Sequence, residues 1–561
     1  MVDSVRETIE KNSDPRTGFL PSRTPIHQLP GPFSILSKSC GELSGRYHGE
    51  GLDCRPWLDE FFGHPMVECE KSVKELDRLT QEALMTQLSL LCHAYRWQGM
   101  PTSPLNYQIK SIQLPSGLES LWTQVARLLG IPRVGIFYTM ISNNWRLIGK
   151  PSGSLYDPEE ITDEKIDLIH SWLHPPEHEE LRTFVVTALA IESRGQAVLQ
   201  QIQRVFQAII RENNQEVTFG LLLLESHLLR ILSTFNNQIR KMRIRPASFL
   251  RFVQPTMIWL LDHGEGPLEG ASGPQSCTVQ AIDSFLGVPR DSALGSTILK
   301  SRKYMLPHHR ALLQELDRAS SLLPKYVESS KDYRLRQTYN RCVQSMISWR
   351  TSHQKRGAVY IKGDPEDKVA NYTSTGLVIE KQTDQVQAYE KIMDQHIEET
   401  KRKVVEDLWK GRERSFDYLF RYLSEDAREE LRGKLGKKNY HKKQVIIRKG
   451  ERFPGLYMIH TGKVAVGNFG EADELKIIAE LPLGEIFGEM SLVENSPAST
   501  DVVAIEETVL EHLSITDLYE LISDHPSIEG SIYISLAQIL SHRLRAADDL
   551  LIRAPTSFSY P

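Results

Sequence analysis

Cysteine is scarce in this sequence, and the six cysteines form no recognisable motif. The 561-residue chain contains Cys40, Cys54, Cys69, Cys92, Cys277 and Cys342. No two of them have the spacing of a CxxC pair, and they are scattered along a long chain. This distribution excludes the disulfide framework of a small secreted domain and favours reduced thiols. We therefore expect a cytoplasmic protein.

The sequence also shows little that resembles a secretion signal or a membrane span. Residues 1–16 (MVDSVRETIEKNSDPR) are polar and lack the apolar core of a signal peptide. The most apolar run, FGLLLLESHLLRIL at 219–232, is interrupted by Glu225, His227 and Arg230. A membrane-spanning helix needs about 20 mostly apolar residues. We therefore expect this run to form a buried helix.

The chain also lacks a large excess of positive or of negative charge. The chain has a formal net charge of −5 and a pI of about 6.4. Proteins that bind nucleic acid or anionic membranes normally carry a basic excess, so we expect neither as a partner. The hydrophobic content of 40% is enough for a large core, and 561 residues are too many for one domain.

Helical periodicity dominates the first part of the chain. Residues 1–60 are rich in Pro, Gly and Ser, which predicts irregular structure wrapped around a core. From about 70 to 360, apolar residues recur at helical spacing and convincing strands are few; examples are Leu84, Leu88, Leu91 and Tyr95, and Ile202, Phe206 and Ile209. We therefore predict an all-α domain over 1–362.

A linker and a charged helix, together spanning 363–414, follow this domain. The helix, about 382–411, has an apolar stripe made of Val386, Tyr389, Met393, Ile397, Val404 and Leu408. Two interpretations stay open: the stripe packs on the chain's own domains, or it forms the seam of a homodimer.

The apolar period changes from helical to two after about residue 440. QVIIRKG, GLYMIHTGKVAVG, ELKIIAEL and DVVAIEETVLEHL alternate with Gly-containing and charged turns. A helical pattern returns at about 528–552. We predict a small β-roll with helices at both ends, within 415–561.

The β-roll region resembles the cyclic-nucleotide-binding domain family. The resemblance covers about 415–552 and depends on IIRKGERFPGLYMIHTGKVAV (446–466), the GEIFGE turn (484–489) and the helix after Leu513. It implies that Gly488 and Glu489 face the ribose and that Ser499 keeps the family's small hydroxyl residue. The family's phosphate-binding arginine is replaced by Ala498, and Asp501 adds negative charge nearby.

The loss of that arginine makes cyclic nucleotide a doubtful ligand. Removing one partner of a buried charge pair costs about 3–5 kcal/mol, which corresponds to roughly 10²–10³-fold in affinity. We therefore interpret the module as degenerate, with a role in contacts or oligomerisation. Binding of another ligand is the alternative.

In the helical domain, one histidine lies on an apolar stripe. Cys342, Met346, Trp349 and His353 are spaced by four, three and four residues and so share one helical face. The simplest interpretation of His353 alone is a core histidine bonded to a backbone carbonyl. A metal or haem ligand needs further support.

That support comes from a second resemblance. Residues 15–362 resemble the indoleamine 2,3-dioxygenase family of haem enzymes through GFLPSRTPIHQLP (18–30), GASGPQSCTVQAIDSFLGV (270–288), KYMLPHHRALLQEL (303–316) and the segment around His353. The resemblance implies haem b, with His353 as the proximal iron ligand. It also implies that Arg350, held by Asp283, serves a haem propionate.

The family resemblance further implies a pocket for an indole substrate. Phe184 and Phe249 match aromatic residues that wall the indole, Ala188 stands where some members have serine, and Phe137 stands where the animal enzymes have tyrosine. The loop at 270–273 matches the distal loop, with backbone and hydroxyl contacts from Gly270, Ala271, Ser272 and Gly273.

One departure from the family pattern concerns the substrate carboxylate. The family's carboxylate-binding arginine corresponds here to Gln254, fixed by Phe249 before it and Pro255 after it. A carboxylate in a dry pocket without a cation is penalised by a few kcal/mol. Either Arg251, one turn earlier, replaces the missing arginine, or the substrate is an indole derivative without a free carboxylate. We favour the second.

The sequence therefore predicts a haem-dependent dioxygenase that adds both atoms of O₂ across the C2–C3 bond of an indole and opens the ring. Two alternatives remain. One is a related haem oxidase, such as a monooxygenase, acting on an indole or pyrrole in specialised metabolism. The other is a regulatory protein that responds to haem or a nucleotide without turnover.

Overall fold

The computed structural model describes residues 2–46, 54–96, 113–257, 268–362, 382–405, 425–451, 455–470, 474–490 and 496–525, together with 532, 536 and 540. The chain divides into two compact units, Met1–Glu406 and Asp407–Pro561.

The first unit is built from helices, as the periodicity predicts. Its helices are α1 (Val2–Asn12), α2 (Ser34–Glu42), α3 (Arg55–Phe62), α4 (Val67–Ser72), α5 (Arg78–Arg96), α6 (Ser116–Leu129), α7 (Glu177–Glu192), α8 (Gly195–Ile210), α9 (Asn214–Gln238), α10 (Pro246–Ser248), α11 (Gln254–Met257), α12 (Cys277–Leu286), α13 (Ala293–Ser301), α14 (Pro307–Arg318), α15 (Leu322–Ser329), α16 (Tyr333–Lys362) and α17 (Gln382–Lys401). One small antiparallel sheet joins β1 (Trp145–Leu147) to β2 (Ile166–Leu168).

The expectation of irregular structure over 1–60 is wrong for much of that segment. Helices α1, α2 and α3 lie within it. Helix α1 packs on α8 and α14 and buries only Val5 and Ile9. Because so few apolar residues mark its face, the helix depends on tertiary packing, and the local composition conceals it.

Helix α9 carries the most apolar run of the sequence. By length and apolar composition it is the one described helix that would allow a membrane crossing. In the fold it packs against α7, α8 and α16, and it buries Val217, Leu221, Leu224 and Leu228. This arrangement is that of a core helix, as the interruptions at Glu225, His227 and Arg230 predict.

Helix α17 packs on other helices of the first unit. It contacts α13 and α16, and it buries Met393 and Ile397 from its apolar stripe. Val404 lies beyond the end of the helix and is exposed, and Leu408 is outside the described residues. The chain's own helices therefore cover this part of the stripe. The compact unit extends to Glu406, beyond the predicted domain boundary at 362. The possible homodimer stays a prediction.

The second unit contains the predicted β-roll. Strands β3 (Gly436–Tyr440), β5 (Gly455–Thr461), β8 (Ile486–Phe487) and β10 (Thr508–Ser514) form one sheet in the order β3-β10-β5-β8. Strands β4 (Val445–Ile447), β6 (Val464–Phe469), β7 (Leu475–Leu481) and β9 (Asp501–Ala504) form the other in the order β4-β9-β6-β7.

Helices flank this roll. Helix α18 (Glu425–Lys434) precedes it, and α19 (Ile515–Asp524) follows β10, with Ser514 as its N-cap. The closing helix predicted at 528–552 lies largely outside the described residues. Of that segment, Ile532 and Leu536 are buried in a cluster with Leu456 and Leu513.

Candidate functional site

His353 lies on the inner face of α16, where the four-three-four spacing places it. Cys342 and Met346 of the same face are fully buried, and the rings of Phe235 and Trp349 lie 5.4 and 5.7 Å from the imidazole. Burial lowers the pKa of His353 to about 4. The imidazole is therefore neutral at neutral pH, which is the form that binds a metal ion.

The hydrogen-bond partner of His353 differs from the simplest sequence interpretation. The phenol oxygen of Tyr389, on α17, lies 3.1 Å from the imidazole Nδ1. It also lies 3.1 Å from the backbone carbonyl oxygen of His353. A distant tyrosine, and not a backbone carbonyl of a neighbouring element, therefore orients this ring.

One helical turn before His353, Arg350 forms a buried ion pair with Asp283 of α12. Each side chain is 1% exposed, and Arg350 Nη2 donates to Asp283 Oδ1. The sequence resemblance pairs these two residues, and the structure brings them together.

The guanidinium of Arg350 is only partly satisfied by Asp283. Within the described part of the chain, its Nε and Nη1 have no hydrogen-bond partner, and neither does the indole Nε1 of Trp349. Buried donors without an acceptor are rare in folded proteins. A haem propionate is the kind of acceptor that Arg350 would bind, and His353 provides an imidazole beside it, so these residues fit a haem group.

Asp283 also connects to α17 through a short polar chain. His396 Nε2 lies 3.9 Å from Asp283 Oδ2, and His396 Nδ1 lies 2.7 Å from Glu399 Oε2. The Ser292 hydroxyl donates to the same Glu399 oxygen at 2.8 Å. Burial and the nearby Arg350 guanidinium hold the pKa of His396 below its usual value. Helix α17 thus contacts the site at both His353 and Asp283.

The two aromatic residues that the resemblance assigns to the pocket wall lie next to each other. Phe184 of α7 and Phe249 meet edge to face, with ring centroids 5.7 Å apart. Both pack against an apolar cluster that includes Phe235, Ile244 and Tyr360, and Trp349 packs against the same cluster. Since Trp349 also touches His353, the wall and the histidine share one apolar region.

Helix α7, which carries Phe184 and Ala188, contacts two π-helical turns, Tyr138–Ser142 and Phe249–Val253. Phe137 directly precedes the first turn, and Phe249 opens the second. Turns of this type are rare and often occur at functional sites. Apolar periodicity does not reveal them, because one extra residue in a helical turn leaves no compositional mark.

The glycine-rich loop divides into a buried and an exposed part. Ala271 and Ser272 are buried, and the Ser272 hydroxyl has no hydrogen-bond partner among the described residues. Gly273 is exposed, and a side chain at that position would meet open space. Ser272 is therefore suited to contact a ligand, whereas Gly273, which the resemblance also assigns to the pocket, lies at the surface.

Two residues that the sequence reasoning missed hold this loop in place. Gln275 accepts a hydrogen bond from the backbone N–H of Phe137 at 2.8 Å and donates to the Gly270 carbonyl at 2.7 Å. Glu192, at the end of α7, accepts from the Ser276 hydroxyl and from the backbone N–H of Thr278. Burial raises the pKa of Glu192 to about 7. No local pattern links these residues, because their partners are distant in sequence.

Gln254 and Arg251 lie in different environments. Gln254 follows the second π-helical turn and is half-buried, whereas Arg251 is exposed. The two side chains therefore do not share one buried position.

In the nucleotide motif of the β-roll, the backbone groups of Ala498 are hydrogen-bonded within the roll. Glu489 is buried after Gly488, whose φ of 92° suits a glycine, and Ser499 is exposed. The backbone N–H of Ala498 donates to the Glu451 carbonyl at 2.9 Å, and its carbonyl accepts from Gly450 at 2.8 Å. Residues 491–495, between these parts of the motif, are outside the described residues.

Both carboxylate oxygens of Asp501, on β9, are also hydrogen-bonded within the roll. Its two carboxylate oxygens accept the backbone N–H groups of Lys449 and Phe469, each at 3.0 Å. The carboxylate is buried and holds β9 to neighbouring chain segments. Asp501 therefore has a structural role in the roll.

The fold and these sites define a class of protein in which a mostly helical domain precedes a β-roll of the cyclic-nucleotide-binding type. The family model for indoleamine 2,3-dioxygenase matches residues 11–405, and the cyclic nucleotide-binding domain model matches residues 437–525. The chain belongs to the indoleamine 2,3-dioxygenase family, whose members are haem-dependent dioxygenases, and it carries an additional cyclic nucleotide-binding domain.

Individual relatives are distant. The chain is 23% identical to human indoleamine 2,3-dioxygenase 2 over 57% of its length and 79% of the relative. It is 24% identical to indoleamine 2,3-dioxygenase acdA of Aspergillus candidus over 62% of its length and 86% of the relative. It is 34% identical to the cyclic AMP receptor protein of Thermus thermophilus, over 19% of its length and 49% of that protein.

Proposed function

We propose that the helical domain is a haem b-dependent dioxygenase that adds both atoms of O₂ across the C2–C3 bond of an indole and opens the ring. The observation that carries this proposal is Arg350. It is a buried guanidinium with two nitrogen atoms that have no hydrogen-bond partner among the described residues, and it lies one turn from a neutral histidine in a chain of this family.

Haem would supply the iron at which O₂ reacts. The chain's own residues would bind and orient it: His353 offers a neutral imidazole, and Arg350 offers two N–H donors to a propionate. Asp283 neutralises Arg350 and fixes its orientation. Outer residues of this kind commonly set the position and electronic character of the metal ligand.

The pocket residues would orient the indole and exclude water. Phe184 and Phe249 present apolar ring surface, and Ser272 presents a hydroxyl that has no hydrogen-bond partner in the described part of the chain. Ring opening by O₂ requires no general acid–base pair from the protein. A shaped apolar pocket with few polar groups is therefore sufficient for the chain's share of the chemistry.

For the substrate, we favour an indole without a free carboxylate. Gln254 carries no charge, and Arg251, the alternative cation, is exposed. A carboxylate bound beside Gln254 would lack the charge-assisted donors that offset its desolvation.

For the β-roll, we favour a role that does not require cyclic AMP or cyclic GMP. Ala498 supplies no cation, its backbone groups are engaged within the roll, and Asp501 is negatively charged. These features oppose binding of a cyclic phosphate.

The test uses the purified, reduced, full-length protein with O₂ and, separately, tryptophan, tryptamine, indole-3-acetate and indole. We expect a gain of two oxygen atoms on the neutral or amine substrates, with tryptophan poor. Efficient turnover of tryptophan would contradict the substrate class. A gain of one oxygen atom would indicate a monooxygenase. Absence of haem, or a His353→Ala variant with an unchanged haem spectrum, would contradict the enzyme assignment.

A further inference from the structure

The hydrogen bond between His353 and Tyr389 joins residues that lie 36 positions apart in sequence. Tyr389 belongs to α17, which packs along α16. Its phenol oxygen is 3.1 Å from two atoms of one residue, the imidazole Nδ1 and the backbone carbonyl oxygen of His353. A phenol has a single proton and can donate to only one of them.

Chemical roles decide the direction of these two bonds. A carbonyl oxygen can only accept, whereas Nδ1 can donate or accept, so both contacts are satisfied as hydrogen bonds only when the phenol proton goes to the His353 carbonyl. The remaining contact then requires Nδ1–H to donate to the phenol oxygen. In this tautomer Nε2 carries the lone pair, and it is Nε2 that is free to bind a metal ion.

A second observation shows that α16 accommodates this tyrosine. Gly357, one turn after His353, lies inside the 30-residue helix, where glycine is the least favourable residue apart from proline. A Cβ atom at Gly357 would lie 2.2 Å from the Tyr389 hydroxyl oxygen and 2.7 Å from its ring carbon Cζ. The missing side chain therefore leaves the space that the phenol occupies.

From these contacts we infer that Tyr389 is a positioning residue for the proximal histidine, and that Gly357 is the residue that makes room for it. This inference rests on the proposed function, because it takes His353 as the iron ligand. Tyr389 would fix the tautomer and the orientation of the imidazole and would accept its Nδ1–H. An outer partner of this kind makes the imidazole a stronger donor to the metal.

The test compares full-length variants by the iron–histidine stretching band in the resonance Raman spectrum of the reduced haem protein. Tyr389→Phe removes the hydroxyl and keeps the ring, so we expect the band to shift to lower frequency. Haem transfer to apomyoglobin should become about 10-fold faster. Gly357→Ala should shift the band in the same direction, because the added methyl group displaces Tyr389.

Tyr339→Phe is the matched control. Tyr339 is a buried tyrosine of the same helix, and its hydroxyl donates to the Leu286 carbonyl at 2.9 Å, far along α16 from His353. We expect its band and haem transfer rate to equal those of the wild type. Circular dichroism establishes that each variant is folded before the spectra are compared.

The outcomes separate the inference from the proposed function. A band that disappears in His353→Ala but is unchanged in both Tyr389→Phe and Gly357→Ala overturns the inference alone. A band that persists in His353→Ala overturns the proposed ligand and the inference with it. A shift in Tyr389→Phe that Tyr339→Phe reproduces also overturns the inference, because it would reflect a general loosening of α16.

Discussion

In the helical domain, Arg350 and Ser272 keep buried polar atoms that form no hydrogen bond with any described residue, whereas in the β-roll both oxygens of Asp501 accept backbone N–H groups. The backbone of Ala498 is likewise bonded within the roll. An unsatisfied buried polar group destabilises a fold, and a bound ligand is one kind of partner that can satisfy it. Among the described residues, the helical site thus offers hydrogen-bonding atoms to an additional group, whereas Ala498 and Asp501 of the nucleotide motif are bonded within the roll.

In both domains, the family resemblance places an arginine where this chain has an uncharged residue, Gln254 in one and Ala498 in the other. We expect different consequences. At Gln254 the missing charge should change which substrate is favoured, and at Ala498 it should weaken binding of the phosphate itself.

The largest expected effect is in the β-roll. Ala498→Arg restores a cation for the cyclic phosphate, and we expect the affinity for cyclic AMP to rise by about 10²–10³-fold. Isothermal titration calorimetry measures it, with Ala498→Gln as the uncharged control. Micromolar binding of cyclic AMP by the wild-type protein would show that the internal bonds of Asp501 and Ala498 do not close the motif.

A similar substitution in the helical domain should change specificity and leave cofactor binding intact. Gln254→Arg offers a charged donor to a carboxylate, and we expect kcat/KM for tryptophan relative to tryptamine to rise about 100-fold. Steady-state product formation measures the ratio. In the control Arg251→Gln, which alters an exposed side chain, the ratio should stay at the wild-type value. A fall in this control would instead assign the carboxylate to Arg251.

A smaller effect is expected at the ion pair. Asp283→Asn removes the charge that holds Arg350, and we expect haem affinity to fall about 10-fold. Haem titration followed by absorbance measures it. Asp501→Asn, which alters the corresponding buried carboxylate of the β-roll, should leave haem affinity unchanged. Equal loss in both variants would indicate a general effect on folding.

The smallest effect concerns pH. The raised pKa of Glu192, about 7, means that the folded protein binds this proton more tightly than the unfolded chain does. Its contribution to stability is therefore fully present below pH 4.5 and is lost as pH rises towards 7, by at most about 1.4 kcal/mol per pH unit.

The uncharged variant Glu192→Gln isolates this contribution. We expect the melting temperature of the wild type, relative to Glu192→Gln, to decline between pH 4.5 and 7. Thermal unfolding of the two proteins in parallel measures the difference. A constant difference over that range would show that Glu192 is ionised throughout.

The parts of the fold that have a local signature can be predicted from the sequence. Apolar spacing predicts the buried face of α16, and the change of period after residue 440 predicts the β-roll. The helices within residues 1–60 were missed because α1 buries only Val5 and Ile9 and depends on its neighbours. The family resemblance places Gly273 in the pocket because of its position in a motif, but Gly273 is exposed to solvent in the structure.

The amino-acid sequence alone predicts the order of the two domains, the placement of His353 on an apolar helical face, and uncharged residues at Gln254 and Ala498, where the family resemblances place arginine. These features follow from residue type and short-range spacing. Three features emerge from the tertiary structure instead: Tyr389 contacts His353, Arg350 has donors with no partner among the described residues, and Asp501 accepts backbone N–H groups. Each of these contacts joins residues that are distant in the chain, and no local pattern encodes which side chains will meet when separate elements pack together.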